Sequence, residues 1–191
     1  MKFTRLEIED VVLIEPTIHG DERGYFIETF RQDLLEKELG HSVNFVQDNE
    51  SKSSKGVLRG LHFQLPPFAQ SKLVRIIDGC VLDVAVDIRK GSPTYGDHVA
   101  VELDSASKRQ LFVPRGFAHG FVVFSGTATI AYKVDNYYSP SHDRGLAFND
   151  PELAINWRLP KETLILSDKD TKQLSFANYE NSFSFKSNYY D

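Results

Sequence analysis

Two histidines sit among apolar, strand-forming residues. His62 lies in Val57-Leu58-Arg59-Gly60-Leu61-His62-Phe63-Gln64, and His119 in Pro114-Arg115-Gly116-Phe117-Ala118-His119-Gly120. Imidazole titrates near neutrality, so a histidine held in an apolar strand can take up and return protons at physiological pH. Arg59 precedes His62 on the same strand, and Lys72 follows it after a Pro-Pro loop. A histidine beside two cations suits an anionic ligand in which negative charge develops as a proton leaves. Such a base needs a partner to fix its tautomer, and a carboxylate does this best. Asp83, Asp87, Asp168 and Asp170 are the candidates. Tyr132, on the apolar face of a strand predicted over Thr127 to Val134, can direct its hydroxyl into the same interior.

The pattern P-x-G-x-x-H at Pro114 to His119 resembles the second half of the cupin signature, in which two histidine-bearing strands of a jelly roll often hold a metal. The first half is absent. Metal-binding cupins carry H-x-H followed by a glutamate, whereas here Gln64 replaces the second ligand and no glutamate follows His62 before Glu102. A catalytic metal site ordinarily needs three nitrogen or carboxylate ligands. A catalytic metal is not expected, and His62 reads as a general base.

The elements that must position these groups are mostly strands. In Val81 to Ile88, the residues Leu82, Val84, Val86 and Ile88 share one face and Asp83, Ala85 and Asp87 the other. Lys72 to Ile77 precedes it, joined by the turn signal Asp78-Gly79. Val99, Val101 and Leu103 alternate, as do Leu111 and Val113, and Ala128, Ile130, Tyr132 and Val134. Earlier strands are predicted at Val11 to Ile14 and at Tyr25 to Phe30, separated by a polar turn over His19 to Gly24, and a long β region starts at Phe45. Gln32 to Leu39 is the one clear helix, with Leu34, Leu35 and Leu39 as its apolar stripe and Gly40 as its stop. Short strands every ~8–12 residues indicate an all-β sandwich or barrel, and a double-sheet jelly roll suits their number. A segment from about 149 is read as peripheral, and Phe176 to Asp191 as largely irregular.

Along a regular strand Arg59 and His62 have opposite parity and face opposite ways. For both to enter one pocket, Gly60 must mark a bulge or twist, and that irregularity is predicted here.

The chain has 191 residues, enough for one domain with a well-developed core, and its 22 basic and 27 acidic residues give a formal charge of −5. That balance argues against non-specific nucleic-acid binding and calls for a local basic pocket if the ligand is anionic. Cys80 is the only cysteine, so no internal disulfide can form. No stretch has the length and apolarity of a membrane span, and a soluble, cytoplasmic protein is expected.

Taken together, Gly20-Asp21-Glu22-Arg23-Gly24, Phe45-Val46-Gln47-Asp48-Asn49, Leu58 to Gln64, Lys72-Leu73-Val74-Arg75, Asp83 to Arg89, Pro114 to Phe121, Tyr132-Lys133 and Asn136-Tyr137-Tyr138-Ser139-Pro140 stand in family order and spacing. On these motifs the chain resembles the dTDP-4-dehydrorhamnose 3,5-epimerase family from about Val12 to Asp170. The resemblance implies a cupin-like jelly roll (a double-stranded β-helix with a few short peripheral helices), a homodimer that exchanges N-terminal strands, and a cofactor-free reaction. That reaction inverts C3 and C5 of dTDP-4-dehydro-6-deoxy-D-glucose. By the same resemblance His62 is the base, Asp170 its partner, Tyr132 the acid on the other face of the sugar and Lys72 the stabiliser of the enolate oxygen. Arg59 and Arg23 would meet the diphosphate, with Gln47 and Asn49 nearby. Tyr137 and Glu28 would contact the thymine, and Asp83 and His119 would line the pocket. His19 stands where the family frequently has phenylalanine. The rival readings are an epimerase of C3 or C5 alone, a non-catalytic sugar-binding cupin and a metal-dependent cupin oxygenase or isomerase.

Overall fold

The computed structural model describes residues 1–190 and is built almost wholly from antiparallel strands. In chain order these are β1 (Lys2–Arg5), β2 (Val12–Glu15), β3 (Ile18–Asp21), β4 (Gly24–Ile27), β5 (Gln47–Ser54), β6 (Leu58–Gln64), β7 (Lys72–Asp78), β8 (Cys80–Asp87), β9 (His98–Asp104), β10 (Gln110–Val113), β11 (Phe117–Val123), β12 (Thr127–Val134) and β13 (Asp143–Gly145). Helix α1 (Gln32–Leu39) closes on Gly40 in the left-handed conformation, φ 79°, as the sequence predicts. Single 3-10 turns occur at Lys161–Thr163 and Asp170–Lys172.

Two sheets face each other, one ordered β1-β2-β10-β7-β12-β5 and the other β13-β6-β11-β8-β9. Strands far apart in the chain are neighbours in each sheet, the winding of the expected jelly roll. Side-chain alternation then divides the apolar residues into three layers. Between the sheets lie Val74, Ile76, Ala85, Leu111, Phe117, Phe121 and Ile130. Outside the five-stranded sheet, Leu82, Val84, Val86 and Ile88 meet Leu153, Trp157 and Phe183 from the C-terminal segment. Outside the six-stranded sheet, Leu73 and Phe112 are covered by Leu35 of α1. The two faces assigned to β8 from its alternation are thus the two faces observed.

Two local readings differ from the structure. His19 to Asp21, read as part of a turn, forms β3, which pairs with β4 as a separate two-stranded sheet. The aromatic strand starting at Tyr25 stops at Ile27 rather than Phe30. Neither β3 nor β4 packs a face into a core, so the pattern that marks the other strands is missing. No helix among the described residues is long and apolar enough to cross a membrane.

Candidate active site

Leu58, Leu61, Phe63 and Leu65 all belong to the outer apolar layer. A regular strand cannot point residues 58 and 61 the same way, so one residue is inserted between them. The pairing with β11 shows where: His62 faces His119 and Arg59 faces Phe121, with a register shift between. Gly60 adopts φ +133°, and a Cβ there would lie 2.5 Å from Gly120 Cα and 2.9 Å from the His119 carbonyl oxygen. Glycine on both strands lets the backbones cross at the bulge. The predicted irregularity is present, and it turns Arg59 and His62 to the same inner face.

That face lines two adjoining cavities. One, about 350 Å³, is bounded by Gln47, Asn49, His62, Lys72, Tyr132, Asp143 and Lys169 among others. The second, about 180 Å³, is bounded by Arg59, His62, Lys72, His119, Phe121 and Tyr132 among others. His62, Lys72 and Tyr132 border both. His62 stands on β6 of the five-stranded sheet, and Lys72 and Tyr132 on β7 and β12 of the six-stranded sheet. The imidazole and the phenol therefore approach the interior from opposing walls.

Among the four carboxylates left open by sequence, Asp170 is the one that meets His62, at 2.6 Å from Nε2 to Oδ1. Its other oxygen accepts from Ser167 Oγ at 2.7 Å. Asp170 is 4% exposed whereas the His62 side chain is 29% exposed, so the carboxylate lies behind and the imidazole faces the cavity. Burial alone would raise the Asp170 pKa, but hydrogen bonds from His62, Ser167 and the Gly60 N–H outweigh it and hold the carboxyl below its ordinary range. Asp83 instead accepts from His119 Nε2 at 2.8 Å. Asp87 is bound by Arg89, Ser92 and Thr94, and Asp168 is exposed.

Lys72 is pushed down to about 8 by burial, against the pull of Asp83 and Asp143 and with a further push from Lys169. Asp83 Oδ2 is buried with no hydrogen-bond partner among the described residues. His119 is itself lowered, burial outweighing the Asp83 carboxylate. Tyr132 is raised by burial, with Arg59 opposing, and its phenol stays protonated at neutral pH.

Gln47 donates to Asn49 Oδ1 at 2.8 Å at the rim. Arg59 Nε donates to Ser53 Oγ at 3.2 Å. Four expected ligand contacts are not brought to the cavity of this chain. One is Asp83, fully buried against His119 and lining neither cavity. The Arg23 side chain is 85% exposed at the β3–β4 turn and pairs with Asp21, Glu28 pairs with Arg31, and Tyr137 is 63% exposed beyond the rim. Sequence reasoning missed Asp143, Lys169, Tyr138 and Gln70, which all line the larger cavity. Lys169 is ion-paired to Asp143, and the Tyr138 hydroxyl donates to the same carboxylate at 2.9 Å. The only sequence signal for Lys169 is its place beside Asp170. Gln64, at the expected ligand position of a metal cupin, spends its amide on backbone. It donates to the Phe68 and Tyr137 carbonyls and accepts from the Ser139 N–H. Among the described residues no group of three or more His, Cys, Asp or Glu side chains is arranged to hold a metal ion.

An antiparallel jelly roll with His62 and Tyr132 set across its interior defines a cupin-like architecture. Comparison with known proteins gives the particular family. A family model described as dTDP-4-dehydrorhamnose 3,5-epimerase matches residues 5–178. The enzyme of that name from Shigella flexneri is 52% identical over 178 residues, covering 93% of this chain and 97% of the relative. The crystal structure of the Elizabethkingia anophelis enzyme superposes with a TM-score of 0.90 at 48% identity, covering 93% of this chain and 97% of that one. The Legionella pneumophila epimerase, solved in complex with dTDP-4-keto-L-rhamnose, gives 0.90 at 46% identity with 94% of each chain covered. The chain belongs to the dTDP-4-dehydrorhamnose 3,5-epimerase family.

Proposed function

We propose that this protein epimerises dTDP-4-dehydro-6-deoxy-D-glucose at C3 and C5 to give dTDP-4-dehydro-L-rhamnose. The observation that carries the reading is the placement of His62, backed by Asp170, and Tyr132 on opposing walls of one cavity with Lys72 between the same cavities. The C4 ketone acidifies the protons on both neighbouring carbons. His62 takes one of these protons from its side of the ring, and the C–H electron pair moves into an enolate. The Lys72 ammonium meets the enolate oxygen, where negative charge develops. The Tyr132 hydroxyl returns a proton from the other wall, so the configuration inverts. Asp170 holds the imidazole in orientation and stabilises the imidazolium that forms. The raised phenol pKa keeps Tyr132 in the protonated form that an acid requires.

Arg59 is the cation of this chain that meets the diphosphate, with Gln47 and Asn49 at the rim and Asp83 and His119 behind Lys72. Tyr137 stacks on the thymine beyond the rim. Arg23 and Glu28 serve the neighbouring subunit, carried on the β3–β4 hairpin. Support for this exchange is the exposure of its large apolar residues, Ile18 at 45%, Tyr25 at 60% and Phe26 at 66%, which calls for a second copy to cover them. The homodimer acts in the cytoplasm, a reducing compartment in keeping with the free thiol of Cys80.

Proton NMR of the sugar nucleotide turned over in deuterium oxide tests the reaction. Deuterium at both C3 and C5 with inverted couplings is expected. Exchange at one carbon alone would reassign the chain to a single epimerase, and none at either would leave only a binding role.

A further inference from the structure

The residues from Tyr179 to Tyr190 lie beyond the stretch matched by the family model, yet they are bound down along their length. Asn181 donates to the Ile88 carbonyl at 3.0 Å, and Phe183 is buried in the outer apolar layer. The backbones of Phe183 and Phe185 bond to that of Lys90. The path ends at Tyr190, whose ring packs beside Leu73 and Phe112 and lies 4.1 Å from the His41 ring.

The Tyr190 hydroxyl accepts from the Arg115 N–H at 3.1 Å and bonds Ser71 Oγ at 2.8 Å. The Arg115 guanidinium donates to Asp135 Oδ2 at 3.0 Å and also to the Tyr189 carbonyl. Asp135 Oδ1 in turn accepts from the Ser71 N–H at 2.6 Å. Ser71 is fully buried at the entry of β7, directly before Lys72. Arg115 lies just past β10, and Asp135 just past the end of β12, the strand that carries Tyr132. Strands β10, β7 and β12 are neighbours in the sheet, so one hydrogen-bonded loop of side chains ties three adjacent strand ends. Successive residues alternate across a sheet, so fixing Ser71 on the outer face fixes Lys72 on the inner one.

We propose that Tyr190 is a positioning residue for the reaction. Through Ser71 and the Arg115–Asp135 pair it sets the ends of β7 and β12 and thereby the aim of Lys72 and Tyr132 at the sugar. The inference rests on the roles given to those two residues above. A reacting group displaced by ~1 Å can cost up to ~10²-fold in rate, so small shifts of strand ends are enough to matter. Burial pushes the Tyr190 phenol up to about 12, which keeps its proton in place across the working range.

The test compares Tyr190→Phe, Ser71→Ala and the double variant with Lys72→Met, using full-length protein and the 4-keto sugar nucleotide. Tyr190→Phe retains the ring and removes the hydroxyl. Its kcat is expected to fall about fivefold, the rate equivalent of about 1 kcal/mol, with KM within about twofold. Ser71→Ala should behave alike, and the double variant should be no slower than the slower single one, since both remove the Ser71–Tyr190 bond. Full kcat in Tyr190→Phe and Ser71→Ala, whatever their melting temperatures, beside an inactive Lys72→Met would overturn the clamp alone. An active Lys72→Met would overturn the lysine assignment and the clamp with it.

Discussion

On the role proposed for it, the Lys72 ammonium should limit activity at high pH, at a position that follows from where the residue sits. Burial moves it from an ordinary 10.5 to about 8, with Asp83 and Asp143 keeping it from falling further. In the proposed reaction Lys72 acts in its charged form, so kcat/KM should decline about tenfold per pH unit above that value. At pH 9 about a tenth of the enzyme would retain the charge, whereas an exposed lysine would be almost fully protonated. Stability moves the other way. Between about 8 and 10.5 the unfolded chain binds the proton that the folded chain has released, so this group adds stability as pH rises. Unfolding driven by Lys72 therefore cannot mimic the loss of activity. Tyr132 is no rival for the limb, because burial raises its pKa above 10.0. The assay is initial-rate kinetics from pH 6 to 10 on wild type, Lys72→Arg and Asp83→Asn. Arginine stays charged throughout, so Lys72→Arg should be slower but lose the limb. Asp83→Asn removes a carboxylate that favours the charged lysine and should move the limb to lower pH. A wild-type profile flat to pH 10, or a limb unchanged in Lys72→Arg, would refute the assignment.

Asp170→Asn leaves the imidazolium without its counter-charge and should lower kcat by about 10²–10⁴-fold, measured as deuterium wash-in at C3; a rate within twofold of wild type would sink the dyad. The same carboxyl has its folded pKa below its ordinary value, so its contribution to stability is present above ~4 and lost as pH falls through the folded value. Acid unfolding monitored by circular dichroism should accordingly be shallower in Asp170→Asn. Gly60→Ala places a Cβ 2.5 Å from Gly120 Cα at φ +133° and should destabilise the fold by more than ~2 kcal/mol in urea titration, an effect that a regular strand would not show. Phe26→Ser on the β3–β4 hairpin should shift sedimentation toward monomer and weaken dTDP-sugar binding together; an unchanged dimer would remove the hairpin from the interface.

Much of this architecture is legible in the chain because each major strand buries a different residue set on each face. The alternation of Leu82, Val84, Val86 and Ile88 against Asp83, Ala85 and Asp87 predicts both surfaces of β8, and the apolar stripe and terminal glycine predict α1. The parity conflict between Arg59 and His62 was legible for the same reason, since only an inserted residue reconciles the two with one pocket. Residues whose roles depend on long-range assembly were not. Nothing local marks Asp143, and only adjacency to Asp170 marks Lys169; they reach the cavity from a three-residue strand and a loop. The β3–β4 hairpin carries no buried face in the single chain, so its first strand reads as a turn. The C-terminal stretch is irregular as expected, but its aromatic residues anchor it: Phe183 is 2% exposed, and the Tyr190 hydroxyl reaches a buried serine.

A two-sheet sandwich suits the proposed chemistry. Inversion beside a ketone requires a base and an acid on opposite sides of a ring, both dry enough to act without competition from water. A site on one sheet or one loop would present both groups from the same direction. Here β6 supplies His62 from one wall and β12 supplies Tyr132 from the other, while Lys72 on β7 adds a cation beside the phenol. The bulge at Gly60 adds Arg59 to the same interior, and β11 places His119 opposite His62. The same low-dielectric surroundings that depress Lys72 strengthen its attraction for a developing oxyanion. Packing that would be costly for an isolated lysine thus suits the oxyanion-stabilising role proposed for Lys72.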